Sequence, residues 1–372
     1  MTHIKYLLIG LAGILKWLIQ LVRKPVNESA QLIISVENNK YIKYTTELVA
    51  ALRAKGVDVK YYIWDDAGAS SNPVGRLPEV RSQPLWWTKV YWKAALACWF
   101  IDAARGAIKH YRPKKILVIE GDSYQHHIFG HYGMQGELQC YCLQWGYVGT
   151  SVPKIGWRNM PYTKFLVWGS FFRDRFEVHN KETDIIEVGH PTLTNTEEPT
   201  SKVILFAVQS EMLPFITNDH ISKFVHLAIK TASEIPNITV RIRTHPNHPI
   251  EDKEAYDAHN IIEWHSFQTH SLEESLIDAA VCVTISSTLA FEGAFYETVP
   301  IFLKIDLSRT LQVHRDAENA PNNTDFYTAT PDNLTQVIQK AMQINSENIS
   351  DALFTSTSNE SIQNIINEIM DD

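Results

Sequence analysis

The sequence predicts an α/β protein of two units, each built on a parallel sheet, facing each other across a cleft. Three observations carry this. From Gln31 onward, short apolar runs of strand character alternate with stretches of helical spacing. The polar run Thr192 to Ser201 divides the chain into two halves of the same pattern, as a linker does. The residues with the most chemistry fall just past strand ends, where open parallel sheets bind ligands.

The first half begins with a strand, Gln31 to Val36, and a helix from Tyr44 to Lys55 that Gly56 ends. A second strand, Val57 to Trp64, leads into a loop rich in Gly, Pro and Ser over Asp65 to Pro84. An aromatic helix spans Trp86 to Tyr111, and its ring stripe suits a core or interdomain face. Lys115 to Ile119 is a central strand ending at Glu120-Gly121-Asp122, and Leu138 to Leu143, Phe165 to Trp168 and Asp184 to Gly189 are the later strands. The second half restarts with strand Lys202 to Val208, then helix Asp219 to Ile235 and a strand from Ile238 that ends at Arg243-Thr244-His245-Pro246. Helix Leu272 to Ala279, strand Ala279 to Ile285, the cluster Ser286-Ser287-Thr288, helix Leu289 to Tyr296 and strand Pro300 to Leu303 follow. Amphipathic helices near Asn333 to Ile344 and Glu360 to Met370 close the chain. These boundaries divide it into an N-terminal helix (1–25), a first Rossmann-like domain (26–191), a second (192–345) and a C-terminal helical segment (346–372).

At 372 residues the chain is too long for one ordinary core, and 45% apolar residues suffice to bury two. A net charge of −8 argues against a broad basic face reading nucleic-acid phosphates. Four cysteines without zinc-ribbon spacing fit a reducing compartment. The apolar run Tyr6 to Val22 is shorter than a spanning helix, carries Lys16 near its middle and is closed by Arg23-Lys24. It reads as an interfacial helix on an anionic membrane surface.

His-Pro alone is often a strand-ending turn, and Ser-Ser-Thr alone an N-cap. Together, on consecutive strand ends and with Glu292 one turn into the following helix, they read as a grip on a diphosphate or phosphate. His245, Ser286 and Ser287 are the expected donors to the anion, with Gln209, Ser210, Arg243, Pro246, Thr288 and Glu292 as further candidates around it. Asp65-Asp66 is explained by turn chemistry before Gly68, and His126, His127 and His131 lack flanking ligands of metal-site spacing, so no metal is expected.

In this order, over roughly residues 115 to 305, the motifs resemble those of GT-B nucleotide-sugar glycosyltransferases. Within these, His-Pro followed by Ser-Ser is similar to the bacterial sialyltransferase, polysialyltransferase and Kdo-transferase pattern of capsule and lipopolysaccharide synthesis. That resemblance implies transfer of a nonulosonic acid from a CMP-activated donor, with inversion and without metal or cofactor, to a glycan or lipid-linked glycan at the cytoplasmic face of the inner membrane. It places a base in the acidic-glycine motif, which here is Glu-Gly-Asp rather than two acids and a glycine, so Glu120 and Asp122 both stand as candidates. Gly121, His127, Gln144 and Arg158 are assigned to acceptor or sugar, and Arg158 or Arg243 to the donor's carboxylate. Leu143-Gln144-Trp145-Gly146, Trp168-Gly169 and Val188-Gly189-His190-Pro191 also resemble stretches of CDP-glycerol glycerophosphotransferases, with Trp145 where that family has a histidine. A non-catalytic nucleotide-binding scaffold of a capsule complex is a further alternative, and the acidic motif distinguishes it from an enzyme.

Overall fold

The computed structural model describes residues 29–37, 39–64, 100–101, 103–136, 138–147, 157–194, 203–211, 215–246, 248–250, 253–256, 261–306, 311–318, 326–344 and 353–371. The N-terminal helix, Asp65-Asp66 and most of the aromatic helix therefore lie outside the described residues.

The first sheet holds β1 (Leu32–Val36), β2 (Val59–Ile63), β3 (Lys115–Ile119), β4 (Gln139–Leu143), β5 (Lys164–Val167) and β6 (Asp184–Glu187) in the order β2-β1-β3-β4-β5-β6. The second holds β7 (Val203–Ala207), β8 (Thr239–Arg243), β9 (Ile262–His265), β10 (Ala279–Thr284), β11 (Val299–Leu303) and β12 (Tyr327–Ala329) in the order β12-β11-β10-β7-β8-β9. Every strand pair is parallel. Strands buried on both faces read as continuous apolar runs, as β1, β7 and β11 do. The expected two Rossmann-like domains are thus observed.

Helices cover the faces: α1 (Ile42–Ala54), α2 (Tyr124–Met134), α3 (Ser170–Glu177), α4 (Asn218–Glu234), α5 (Leu272–Leu276), α6 (Leu289–Gly293), α7 (Gln312–Glu318), α8 (Leu334–Ala341) and α9 (Ser358–Met370). Two boundaries depart from expectation. The helix expected over Leu272 to Ala279 stops at Leu276, because Ala279 already belongs to β10. Helix α6 is α-helical only to Gly293 and tightens into a 3-10 turn, Ala294–Tyr296, closed by Glu297 in the left-handed region.

Helix α9 crosses back from the second half to the first. Its Ile362, Ile365, Ile366 and Ile369 are buried against Leu48, Val49 and Leu52 of α1 and Leu117 and Tyr141 of the first sheet. Burying each isoleucine contributes roughly 1.5 to 3 kcal/mol relative to exposure. Lys164 pairs with Glu368 at 3.0 Å, and His190 bridges to Thr357 in parallel. The C-terminal segment therefore belongs with the first sheet, and the chain crosses between the halves twice.

In a doubly wound sheet the crevice opens where the strand order reverses direction. That point lies between β1 and β3 in the first sheet and between β7 and β10 in the second. Both Glu120 and Ser286 stand just past one of these strands.

Candidate active site in the interdomain cleft

On the first side, β3 runs into a tight acidic turn. Glu120 takes φ 72° and Gly121 φ 42°, and the Asp122 amide donates back to the Glu120 carbonyl at 2.5 Å. A side chain at position 121 is excluded, since its Cβ would stand 2.2 Å from the Cys142 sulfur. Left-handed backbone at a glutamate costs of order 1 to 3 kcal/mol and persists only where surroundings over-determine it. Here the Tyr162 hydroxyl donates to the Gly121 carbonyl at 2.5 Å, and the Glu120 amide donates to Leu143 of β4. The turn aims the Glu120 carboxylate into the cleft. Tyr41 donates its hydroxyl proton to Oε2 at 2.8 Å, while Oε1 lies 3.6 Å from where a Cβ on Gly146 would stand.

That same point is 3.4 Å from Oγ1 of Thr288, which belongs to the second domain. Gly146 thus separates the acidic turn from the hydroxyl cluster by no more than the space of a methyl group. The Tyr147 amide donates to Thr288 Oγ1 at 3.0 Å, and the Tyr147 ring stacks on Phe291 of α6 with centroids 4.4 Å apart. Behind it, Asp316 of α7 accepts from Tyr147 and from Arg175 of α3, a half-buried bridge between the halves. Burial pushes the Tyr147 phenol up to about 12, with Arg175 opposing.

On the second side the predicted residues line one sheet edge. Gln209, past β7, and Ser286, past β10, close the crevice with two hydrogen bonds: the Ser286 amide to Gln209 Oε1 at 2.9 Å and Gln209 Nε2 to Ser286 Oγ at 2.6 Å. Ser287 Oγ accepts from the Leu289 amide at 3.3 Å, and its own amide donates to Thr284. His245 follows β8 in a turn closed by the His248 amide, with Pro246 exposed beside it and Ser210 half-buried on the neighbouring strand end.

Arg243 is 8% exposed, and all three of its hydrogen bonds leave from Nη1, to the carbonyls of His270 and Ser271 and to Ser275 Oγ. Burial lowers its guanidinium from the ordinary value, and Glu292 and Tyr44 oppose the shift. Glu292, half-buried on α6, lies 3.6 Å from Nε2 of the fully buried His190, an ion-pair distance too long for a hydrogen bond, and that nitrogen has no hydrogen-bond partner. The Tyr44 and Trp145 rings pack at 4.3 Å beside these groups. Lys43 reaches over the Phe267 ring at 4.3 Å and closes that side of the cleft.

Two predicted residues stand elsewhere. Gln144 is fully buried and engaged with backbone: it accepts from the Trp168 amide and reaches the Gly146 carbonyl, so it shapes the loop rather than meeting a ligand. Arg158 is exposed in the segment leading into β5, where the next residue's amide donates to His179 beyond the end of α3. This is the opposite end of the sheet from the cleft. Gly121 acts through its backbone. His127 packs edge-on to Tyr162 at 5.8 Å, and His126 is buried, its imidazole pushed down to about 3 by desolvation. Among the described residues no group of three His, Cys, Asp or Glu is placed to hold a metal ion. Tyr41, Tyr44 and His190 were missed as site residues. Tyr41 stands just past the first strand, and His190 in the Val188-Gly189-His190-Pro191 turn.

No protein-family model matches the chain, and no curated protein matches it in sequence. Solved structures do match in shape. The glycotransferase of kitacinnamycin superposes with a TM-score of 0.62 at 13% identity, over 92% of this chain and 99% of that one. S. aureus MnaA in its UDP co-structure gives 0.60 at 13%, over 91% and 95%. The wall teichoic acid polymerase TagF, in a variant soaked with CDPG, gives 0.52 at 12%, over 100% and 97%. At such identities the likeness is one of fold, and the fold is the GT-B arrangement of two Rossmann-like domains facing across a cleft.

Proposed function

We propose that this chain is an inverting glycosyltransferase that moves a nonulosonic acid from a CMP-activated donor to a glycan acceptor. The observation that carries the reading is the carboxylate of Glu120, whose Oε1 faces the second domain's Thr288 across Gly146. An inverting transfer needs a base on one face of the anomeric carbon and a leaving-group grip on the other. Glu120 takes the proton from the acceptor hydroxyl as the new glycosidic bond forms. The bond from the anomeric carbon to the phosphate breaks, and CMP leaves toward the second domain. There His245 and the Ser286-Ser287 edge donate to the phosphate, and Gln209 holds Ser286 in place. Arg243 meets the sugar's carboxylate and Glu292 the ribose hydroxyls. Asp122, its amide tied into the turn, shapes the site.

The N-terminal helix holds the enzyme on the cytoplasmic face of the inner membrane, where capsule or lipopolysaccharide acceptors are lipid-linked. Among the described residues no helix is long and apolar enough to cross a membrane. Deleting residues 1–25 is expected to release an enzyme that still acts on a water-soluble acceptor.

A second reading, a CDP-glycerol-type glycerophosphotransferase, is favoured by the likeness to TagF across the full chain. Thermal shift with CMP, CDP, UDP and GDP decides between them, because a ligand at a hundredfold excess over its Kd adds about 2.7 kcal/mol to stability. The largest shift is expected with CMP. A preference for CDP or UDP, or a transfer activity lost in EDTA and restored by magnesium or manganese, would move the assignment to a diphosphate donor.

A further inference from the structure

Tyr41 ends the 3-10 turn Asn39–Tyr41 between β1 and α1, and only 8% of it is exposed. Its hydroxyl bridges the crevice of the first sheet to Glu120, 79 residues further along the chain. A carboxylate offers two oxygens. With Oε2 held at 2.8 Å, rotation of the group is restrained and Oε1 remains turned toward Gly146 and the second domain. The left-handed backbone at Glu120 sets the direction of the side chain, and the phenol sets its final torsion.

We propose, on the reading of Glu120 as the base, that Tyr41 is its positioning residue, holding the carboxylate ionised and oriented with Oε1 toward the acceptor. The need is electrostatic. Around this pair stand Asp122 in the same turn, Tyr44 on α1 and the Cys142 thiol on β4, with Glu37 past β1 close to the Tyr41 phenol. Two of them are acids, and like charges disfavour ionisation. A hydrogen bond donated to the charged form offsets that. Burial and the adjacent Glu120 push the Tyr41 phenol far above its ordinary range, so it remains a donor at any working pH.

The test requires no donor substrate. The full chain carrying [5-13C]glutamate is titrated by NMR, with the Glu120 carboxyl signal assigned by its loss in Glu120→Gln. Tyr41→Phe removes one oxygen and keeps the ring. It is expected to raise the Glu120 midpoint by about one pH unit, a tenfold change in acid dissociation, the scale of one hydrogen bond to a charged group. An unchanged midpoint overturns the proposal. Should the phenylalanine variant not fold, the unsubstituted chain supplies the answer: the Tyr41 ring carbon bearing the hydroxyl should shift with the same midpoint as the Glu120 carboxyl, and an invariant signal overturns the proposal equally. The transferase reading fails or stands on nucleotide binding and on Glu120→Gln turnover, so the two failures are distinguishable.

Discussion

The two crevices have the same topology and opposite chemistry. In each, a residue past the first strand of the domain reaches across the reversal to one past a later strand: Tyr41 to Glu120 in the first, Gln209 to Ser286 in the second. The first bridge presents a carboxylate backed by Glu37 and Asp122. The second presents neutral hydroxyls and an amide beside His245 and Arg243. Parallel sheets bring strand ends together whatever the side chains are, so the fold supplies two equivalent positions and the residues there divide the work. An acid side suits taking a proton, and a donor-rich side suits holding an anion.

The strongest way to break this division is to neutralise the acid side. Glu120→Gln is expected to lower turnover on the order of a hundredfold while CMP still raises the melting temperature. Asp122→Asn should have a mild effect, because the part of Asp122 that holds the turn is its amide. Steady-state rates with a CMP-sialic acid donor check both, and near-wild-type rates in the two variants would reduce the acidic turn to a structural feature. A smaller effect is expected on the other side. His245→Ala should weaken CMP binding about tenfold, the scale of one charge-assisted hydrogen bond, with Ser286→Ala in the same direction. Calorimetric titration measures both, and unchanged affinities would remove the anion grip from this edge.

Each half also carries a buried histidine that burial holds neutral: His126 on α2, pushed down to about 3, and His314 on α7, to about 4. A histidine whose folded value lies below its unfolded value of about 6.5 takes up its proton first in the unfolded chain. Stability is therefore intact above about pH 6.5 and falls as pH drops toward the folded values, by up to about 1.4 kcal/mol per unit for each group. His126→Leu should flatten the decline in melting temperature between pH 6.5 and 4.5. A slope identical to that of the unsubstituted chain would show that this imidazole is not held neutral.

Much of this was legible in the residues. Apolar runs fix a strand wherever both faces are to be buried, so most strands of both sheets could be read from local pattern. What escaped had a nonlocal cause. The edge strands β9 and β12, read in sequence as Ile-Glu-Trp-His and Tyr-Thr-Ala, carry little apolar signal because each has a neighbour on one side only. Gln144 looked like a ligand-binding amide because its type and strand-end position fit one; only packing showed its oxygen bound to the Trp168 amide. Arg158 was near in sequence to the right loop and far in space from the cleft.

The sequence by itself determined the two-domain α/β class, the acid character of one strand-end cluster and the hydroxyl-histidine character of the other, because these depend on residue type and period. The tertiary structure alone decided that Tyr41 holds Glu120, that Gly146 leaves space between Glu120 and Thr288, and that Arg243 lies near Glu292 and Tyr44 while Arg158 lies at the far end of its sheet. Those relations join residues from tens to more than a hundred positions apart, and the strand order of the two sheets brings their strand ends together.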